Sequence, residues 1–272
     1  MSEVRVTVND STVVGKRRTV SEAYPQAIDV FFRIPYAEAI RFQAAKSIEP
    51  KPSFTIDATD SGPIRNSPLE AISDPESPLR LHVFRPARPT ASSTSSTDSG
   101  PDLLPVVVYI HGGGFNFGNP LERDHASFVS WAGQDDGLVV VAVEYRLGPL
   151  GFAADPDLGE LNLGLKDQRV AVDWVKKWIG GFGGDAGRLT MMGVSAGAHS
   201  VSQRCHGRRG SSRDSTHAGH RSDITSSRLS HWDASDLSLN LALPPLVLSS
   251  RQHMLAPAHS SKHLPRQPAA SR

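Results

Sequence analysis

The sequence predicts an α/β fold, with a mostly parallel sheet in residues 27–201 and a C-terminal stretch, 202–272, of different character. Three observations predict it. Residues 105–110 (PVVVYI) and 138–145 (LVVVAVEY) are continuous β-branched runs, the pattern of strands buried on both faces. Between Leu165 and Ile179 the apolar residues Val170, Ala171, Trp174, Val175, Trp178 and Ile179 form a helical stripe. A third strand-like run, 188–192 (RLTMM), leads directly into Gly193-Val194-Ser195-Ala196-Gly197. Strand, helix and strand at this spacing argue parallel pairing with crossover helices.

In chain order, residues 1–85 read as short strands and loops. Residues 31–36 (FFRIPY) form an apolar strand-like run stopped by Pro35. Residues 79–84 (LRLHVF) alternate with period two, as a half-buried strand does. Residues 85–103 are rich in Pro, Ser and Thr and read as a surface loop. The helix predicted over 165–179 has a natural stop in Gly180 and Gly181.

The formal net charge of +1 points to no polyanionic partner. Arginines after residue 202 are scattered, with no aromatic interleaving, so nucleic acid is not an expected partner. The single cysteine, Cys205, cannot form an internal disulfide. The first five residues have no apolar core, and the longest apolar run, 138–143, is too short to span a bilayer. These features predict a cytoplasmic protein with no membrane span.

The chemistry sits in two motifs. Gly193-Val194-Ser195-Ala196-Gly197 is a G-x-S-x-G nucleophile elbow, a sharp strand-to-helix turn that presents a serine hydroxyl. His111-Gly112-Gly113-Gly114-Phe115 follows a buried strand, where backbone N–H groups without side chains can approach a developing oxyanion. Together they point to ester chemistry through an acyl-enzyme. His111 reads as a support for the glycine run. His199, four residues past Ser195, would run down the helix flank rather than over the hydroxyl. Asp167, Gln168 and Arg169 read as a hydrogen-bonded network holding the helix under the sheet.

At these motifs the chain resembles the type B carboxylesterases, a family that includes cholinesterases and many fungal esterases and lipases. The resemblance covers 27–201. It rests on 31–37 (FFRIPYA), Arg41-Phe42, 81–87 (LHVFRPA), 108–118 (VYIHGGGFNFG), 145–152 (YRLGPLGF), 162–174 (NLGLKDQRVAVDW), 182–185 (FGGD) and 193–198. It implies the N-terminal part of an α/β-hydrolase fold. It also implies Ser195 as nucleophile, Gly113, Gly114 and Ala196 as oxyanion-hole donors, a small-molecule carboxylic ester as substrate, and no cofactor or metal. Three positions depart from the family pattern. Val194 stands where a glutamate is usual, Pro78 where an early cysteine is usual, and Glu144 where an asparagine is usual. A non-catalytic binding protein on the same fold is the alternative, and the retained Ser195 speaks against it.

Residues 203–272 hold 14 Ser and 9 Arg but no Glu, Phe or Tyr, so little apolar surface can offset ordering entropy there. Disorder is the expectation for most of this stretch. A triad on this fold runs serine, acid, histidine. Asp233 or Asp236 with His253, His259 or His263 has that order, yet each strand–helix–strand unit takes about 30 residues or more. The stretch shows no such units, so acid and histidine stay unassigned. The break after Ser200-Val201 reads as an altered frame, a retained intron or a misjoined gene, with a genuine divergent extension as the alternative.

Overall fold

The computed structural model describes residues 2–62, 78–87, 103–134, 137–153, 157, 160–206 and 225–228. It opens with a hairpin, β1 (Ser2–Val8) and β2 (Ser11–Arg18), paired antiparallel. The connection is Asn9-Asp10, with φ of 48° and 59°. Two consecutive positive φ values give the twist that a two-residue hairpin needs, and Asn and Asp tolerate that region.

The remaining strands are β3 (Ile28–Glu38), β4 (Lys46–Ser47), β5 (Thr55–Asp57), β6 (Leu79–Pro86), β7 (Leu104–Ile110), β8 (Val139–Val143), β9 (Gly184–Gly193) and β10 (Thr225–Arg228). The helices are α1 (His125–Ala132), α2 (Gly148–Phe152), α3 (Leu163–Trp178) and α4 (Ala196–His206), with a 3₁₀ turn at Ile179–Phe182. The sheet order is β1-β2-β3-β6-β8-β7-β9-β10, with β4 on β3 and β5 on β2.

Strands β8, β7 and β9 pair in parallel, as the apolar runs predict. The sheet as a whole is mixed rather than mostly parallel, because β3 and β6 enter antiparallel. Parallel pairing needs a crossover connection, and in the N-terminal part of the chain only the short β5 pairs in parallel, with β2. Pro35 does not stop β3. The strand runs on to Glu38, with register shifts between Phe31 and Ile34 and between Pro35 and Ala37. Bulges are where a sheet tolerates proline.

Every residue of β8 is buried. Val139, Val141 and Val143 face one side with Phe31, Ile34, Leu81 and Val108, under Trp174, Val175 and Ile179. Val140 and Ala142 face the other with Ile28, Val30 and Phe84, under Ala126 and Val129 of α1. Two-sided cover is why the run has no polar alternation. Helix α3 carries the predicted stripe, starting at Leu163 rather than Leu165. Trp174 is buried and donates its indole N–H to the Ile48 carbonyl at 3.0 Å.

The loop expected over 85–103 lies outside the described residues from 88 to 102. Most of the 202–272 stretch also lies outside them, and two described parts of it are ordered elements. Helix α4 continues to His206, and β10 pairs antiparallel with β9, Thr225 opposite Gly193. A strand edge offers backbone donors and acceptors to any extended segment, so this pairing requires no apolar side chains.

Candidate active site

Strand β9 ends at Gly193 and α4 begins at Ala196, so Ser195 occupies the turn between them. Its φ is +52°, a conformation that non-glycine residues seldom adopt. The turn is held by the Gly197 N–H to the Val194 carbonyl at 2.9 Å and the His199 N–H to the Ser195 carbonyl at 3.0 Å. It also requires close backbone approach. A Cβ on Gly193 would collide with the Gly197 backbone, and one on Gly197 would collide with the carbonyls of Ile110 and His111. Ser195 is exposed, whereas Ala196 is buried.

The glycine run after β7 lies against this turn. A Cβ at Gly112 would lie 2.9 Å from the Val194 oxygen and 3.3 Å from the Ser195 Cβ. Gly113 has φ +110° and packs directly on the Phe117 carbonyl, which leaves no room for a side chain. Its own carbonyl accepts from the N–H groups of Asn116 and Phe117, at 3.0 and 3.1 Å. A Cβ on Gly114 would meet nothing within 4 Å. Phe115 packs on Phe152 at 4.6 Å between centroids, and its carbonyl accepts the Gly148 N–H at 2.7 Å. The structure therefore brings the turn at Ser195 against Gly112, at the start of the glycine run.

The imidazole of His111 is buried and stacks on Tyr145 at 4.4 Å. Its Nδ1 donates to the Gly112 carbonyl at 2.8 Å, and burial holds its pKa below the usual histidine range. Tyr145 donates its hydroxyl to the His111 carbonyl at 2.9 Å. His199 Nδ1 lies 3.1 Å from the Ser195 carbonyl oxygen, so its ring is tied to backbone rather than to the hydroxyl. Both histidines thus sit as the sequence suggests.

Beneath the turn, Gln168 donates to Ser200 Oγ at 3.2 Å, and Ser200 donates to the Ala196 carbonyl at 3.2 Å. Asp167, fully buried, accepts from the Arg146 N–H at 3.0 Å, from Nε at 2.8 Å and from Nη2 at 2.6 Å. Burial raises the Asp167 carboxyl against the opposing pull of that guanidinium. Glu144 accepts the Arg80 N–H at 3.1 Å, and its carbonyl accepts the Tyr36 hydroxyl at 2.6 Å. Sequence reasoning missed Tyr145 and Glu122 as partners of the glycine run. Tyr145 could have been found from its position at the end of an apolar strand, but Glu122 lies in a turn with no motif.

Among the described residues, no three His, Cys, Asp or Glu side chains are grouped as metal ligands. No described helix is long and apolar enough to cross a membrane.

Residues 2–217 match the sequence profile of the carboxylesterase family. The chain belongs to that family. Its match extends beyond 27–201 on both sides. A probable N-octanoylanthranilate hydrolase, AqdA2, of Rhodococcus erythropolis is 37% identical over 183 residues, covering 64% of this chain and 38% of that protein. Esterase-5B of Drosophila persimilis is 35% identical over 182 residues, covering 62% of this chain and 30% of its own. Among solved structures, Aspergillus niger EstA superposes with a TM-score of 0.58 at 32% identity, covering 75% of this chain and 38% of that one. A thermophilic pNB esterase gives 0.54 at 32% identity, over 73% and 40%. The chain therefore has the α/β-hydrolase fold of these esterases and spans less than half the length of each.

Proposed function

We propose that this carboxylesterase-family protein hydrolyses carboxylic esters through an acyl-enzyme on Ser195. The observation that carries the reading is Ser195, at φ +52° in the strand-to-helix turn, with Gly112, the first residue of the glycine run, against its Cβ. In this nucleophile elbow the hydroxyl attacks the ester carbonyl. The N–H groups of Gly113, Gly114 and Ala196 form the oxyanion hole, and the N-terminus of α4 adds a favourable dipole. One such donor stabilises the transition state by about 3–4 kcal/mol. The alkoxide leaves with the proton, the acyl group stays on Ser195 Oγ, and water then releases the acid.

The same proposal gives the 272-residue chain little steady-state turnover. Each of the four histidines with described side chains faces a backbone group: His82 the Arg33 N–H, His111 the Gly112 carbonyl, His125 the Pro120 carbonyl and His199 the Ser195 carbonyl. An oxyanion hole alone retains roughly 10³–10⁴-fold acceleration over water. Slow acylation by an activated aryl ester is therefore expected, with the acyl group remaining on the protein. Intact-mass and peptide analysis after incubation with p-nitrophenyl acetate tests this. One acetyl group on Ser195, absent in Ser195→Ala, is the expected result. Equal labelling of the two proteins would sink the reading. Rapid, Ser195-dependent turnover would overturn the low-turnover part alone. A cytoplasmic location belongs to the same proposal, supported by the single cysteine, Cys205, and cell fractionation tests it.

A further inference from the structure

The peptide that starts the glycine run is held from both sides. The His111 carbonyl accepts the Tyr145 hydroxyl at 2.9 Å. On the other side, the Gly112 N–H donates to Glu122 Oε1 at 3.4 Å, and the same oxygen accepts the Tyr109 hydroxyl at 2.7 Å. The next peptide is held through its carbonyl, where Gly112 accepts from His111 Nδ1 at 2.8 Å. In a trans peptide the C=O and the following N–H point in opposite directions. Fixing the Gly112 carbonyl on the imidazole therefore aims the Gly113 N–H away from that ring. Gly112 itself backs onto Val194 and Ser195. A short relay thus runs from Tyr109 on β7 through the Glu122 carboxylate to the Gly112 N–H, one peptide before the Gly113 N–H.

Glu122 is exposed and takes no part in either core cluster. Its carboxylate nonetheless turns toward the base of the loop, close enough to act electrostatically on Tyr109, His111, His125 and Tyr145. A surface carboxylate that only solvates a turn has no reason to select a backbone N–H next to a nucleophile. We infer that Glu122, anchored by the Tyr109 hydroxyl, is a positioning residue that orients the glycine run toward Ser195. The inference rests on the Ser195 reading above. Glu122 touches no reacting atom, and its contribution is the acceptor oxygen it offers to Gly112.

The test compares Glu122→Ala and Glu122→Gln with the unsubstituted full chain. Single-turnover acylation of Ser195 by p-nitrophenyl acetate is followed by mass spectrometry across ester concentrations, with a thermal melt of each variant. The alanine variant is expected to acylate about tenfold to a hundredfold more slowly at saturation, since small misplacements of aligned groups have effects of that size. Its half-saturating ester concentration and melting midpoint should stay unchanged. The glutamine variant keeps an acceptor oxygen, and its rate should return to within about threefold. Alanine acylating at the unsubstituted rate overturns the inference, and so does glutamine as slow as alanine. A matching fall in melting midpoint in both variants also overturns it, because the role is then purely structural. No acylation of the unsubstituted chain is a separate outcome, which removes the Ser195 reading and this inference with it.

Discussion

Ser195 sits in a backbone conformation that costs about 1–3 kcal/mol and persists only because its surroundings over-determine it. The determinants are contacts already described: the Val194 and Ser195 carbonyls bonded inside the turn, and Gly197 against β7. His82 shows the opposite case, a buried residue with a stability role. Its Nδ1 accepts the Arg33 N–H at 3.3 Å, and burial pushes its pKa down to about 3. Unfolded, the ring titrates near 6.5, so the unfolded chain binds the extra proton first as pH falls. Stability from this residue is full above 6.5 and declines as pH drops toward 3. Between pH 7 and pH 5 the loss is about 2 kcal/mol. Urea unfolding at both pH values should show it, and His82→Gln should lose less on acidification. An equal loss in both proteins would refute the assignment. The turn and the glycine run were legible in the sequence, because Gly112, Gly113, Gly193 and Gly197 allow close backbone approach by residue type. Tyr145 and Glu122 were not, because their roles exist only once separate segments meet.

Among the elements, α3 has two jobs that one stripe of apolar residues does not reveal. Its apolar face covers the sheet through Ala171, Trp174 and Val175. Its neighbouring polar residues, Asp167 and Gln168, reach Arg146 and Ser200. Buried polar side chains have partners, so a polar pair at the edge of an apolar stripe is a readable signal of a network. Helix α4 depends on a different constraint, its contact with β7 through Gly197. In Gly197→Ala the new Cβ meets backbone carbonyls, which cannot rotate aside. Overpacking of this kind costs about 1–3 kcal/mol. The variant should therefore melt lower and acylate Ser195 more slowly, since the strand and the turn must part. A melting midpoint within error of the unsubstituted chain would refute the packing argument.

For the whole molecule, Arg146 joins distant parts of the chain. It holds Asp167 on α3 and also donates to the carbonyls of Ile40 and Gln43, at 3.0 and 2.7 Å, between β3 and β4. Asp167→Ala would leave a nearly buried guanidinium without its counter-charge, at a cost of about 3–5 kcal/mol. Denaturant unfolding should show that loss, and a loss under about 1 kcal/mol would argue against the pair as a structural tie. The described chain contains one face of the sheet under α3 and the other under α1. It spans 30–40% of the length of the relatives and solved structures it matches.

By itself the sequence determined the parallel strands, the crossover helix, the turn at Ser195 and the glycine run. Each is encoded locally, by apolar runs, helical spacing or residues without side chains. The tertiary structure decided what depends on pairing between distant segments. It made the sheet mixed, carried β3 through Pro35 on a bulge, and set β10 on the edge of β9. It also placed the Glu122 carboxylate on the Gly112 N–H. The reason is physical: strand partners and buried hydrogen bonds are settled by three-dimensional proximity, which no window of neighbouring residues contains.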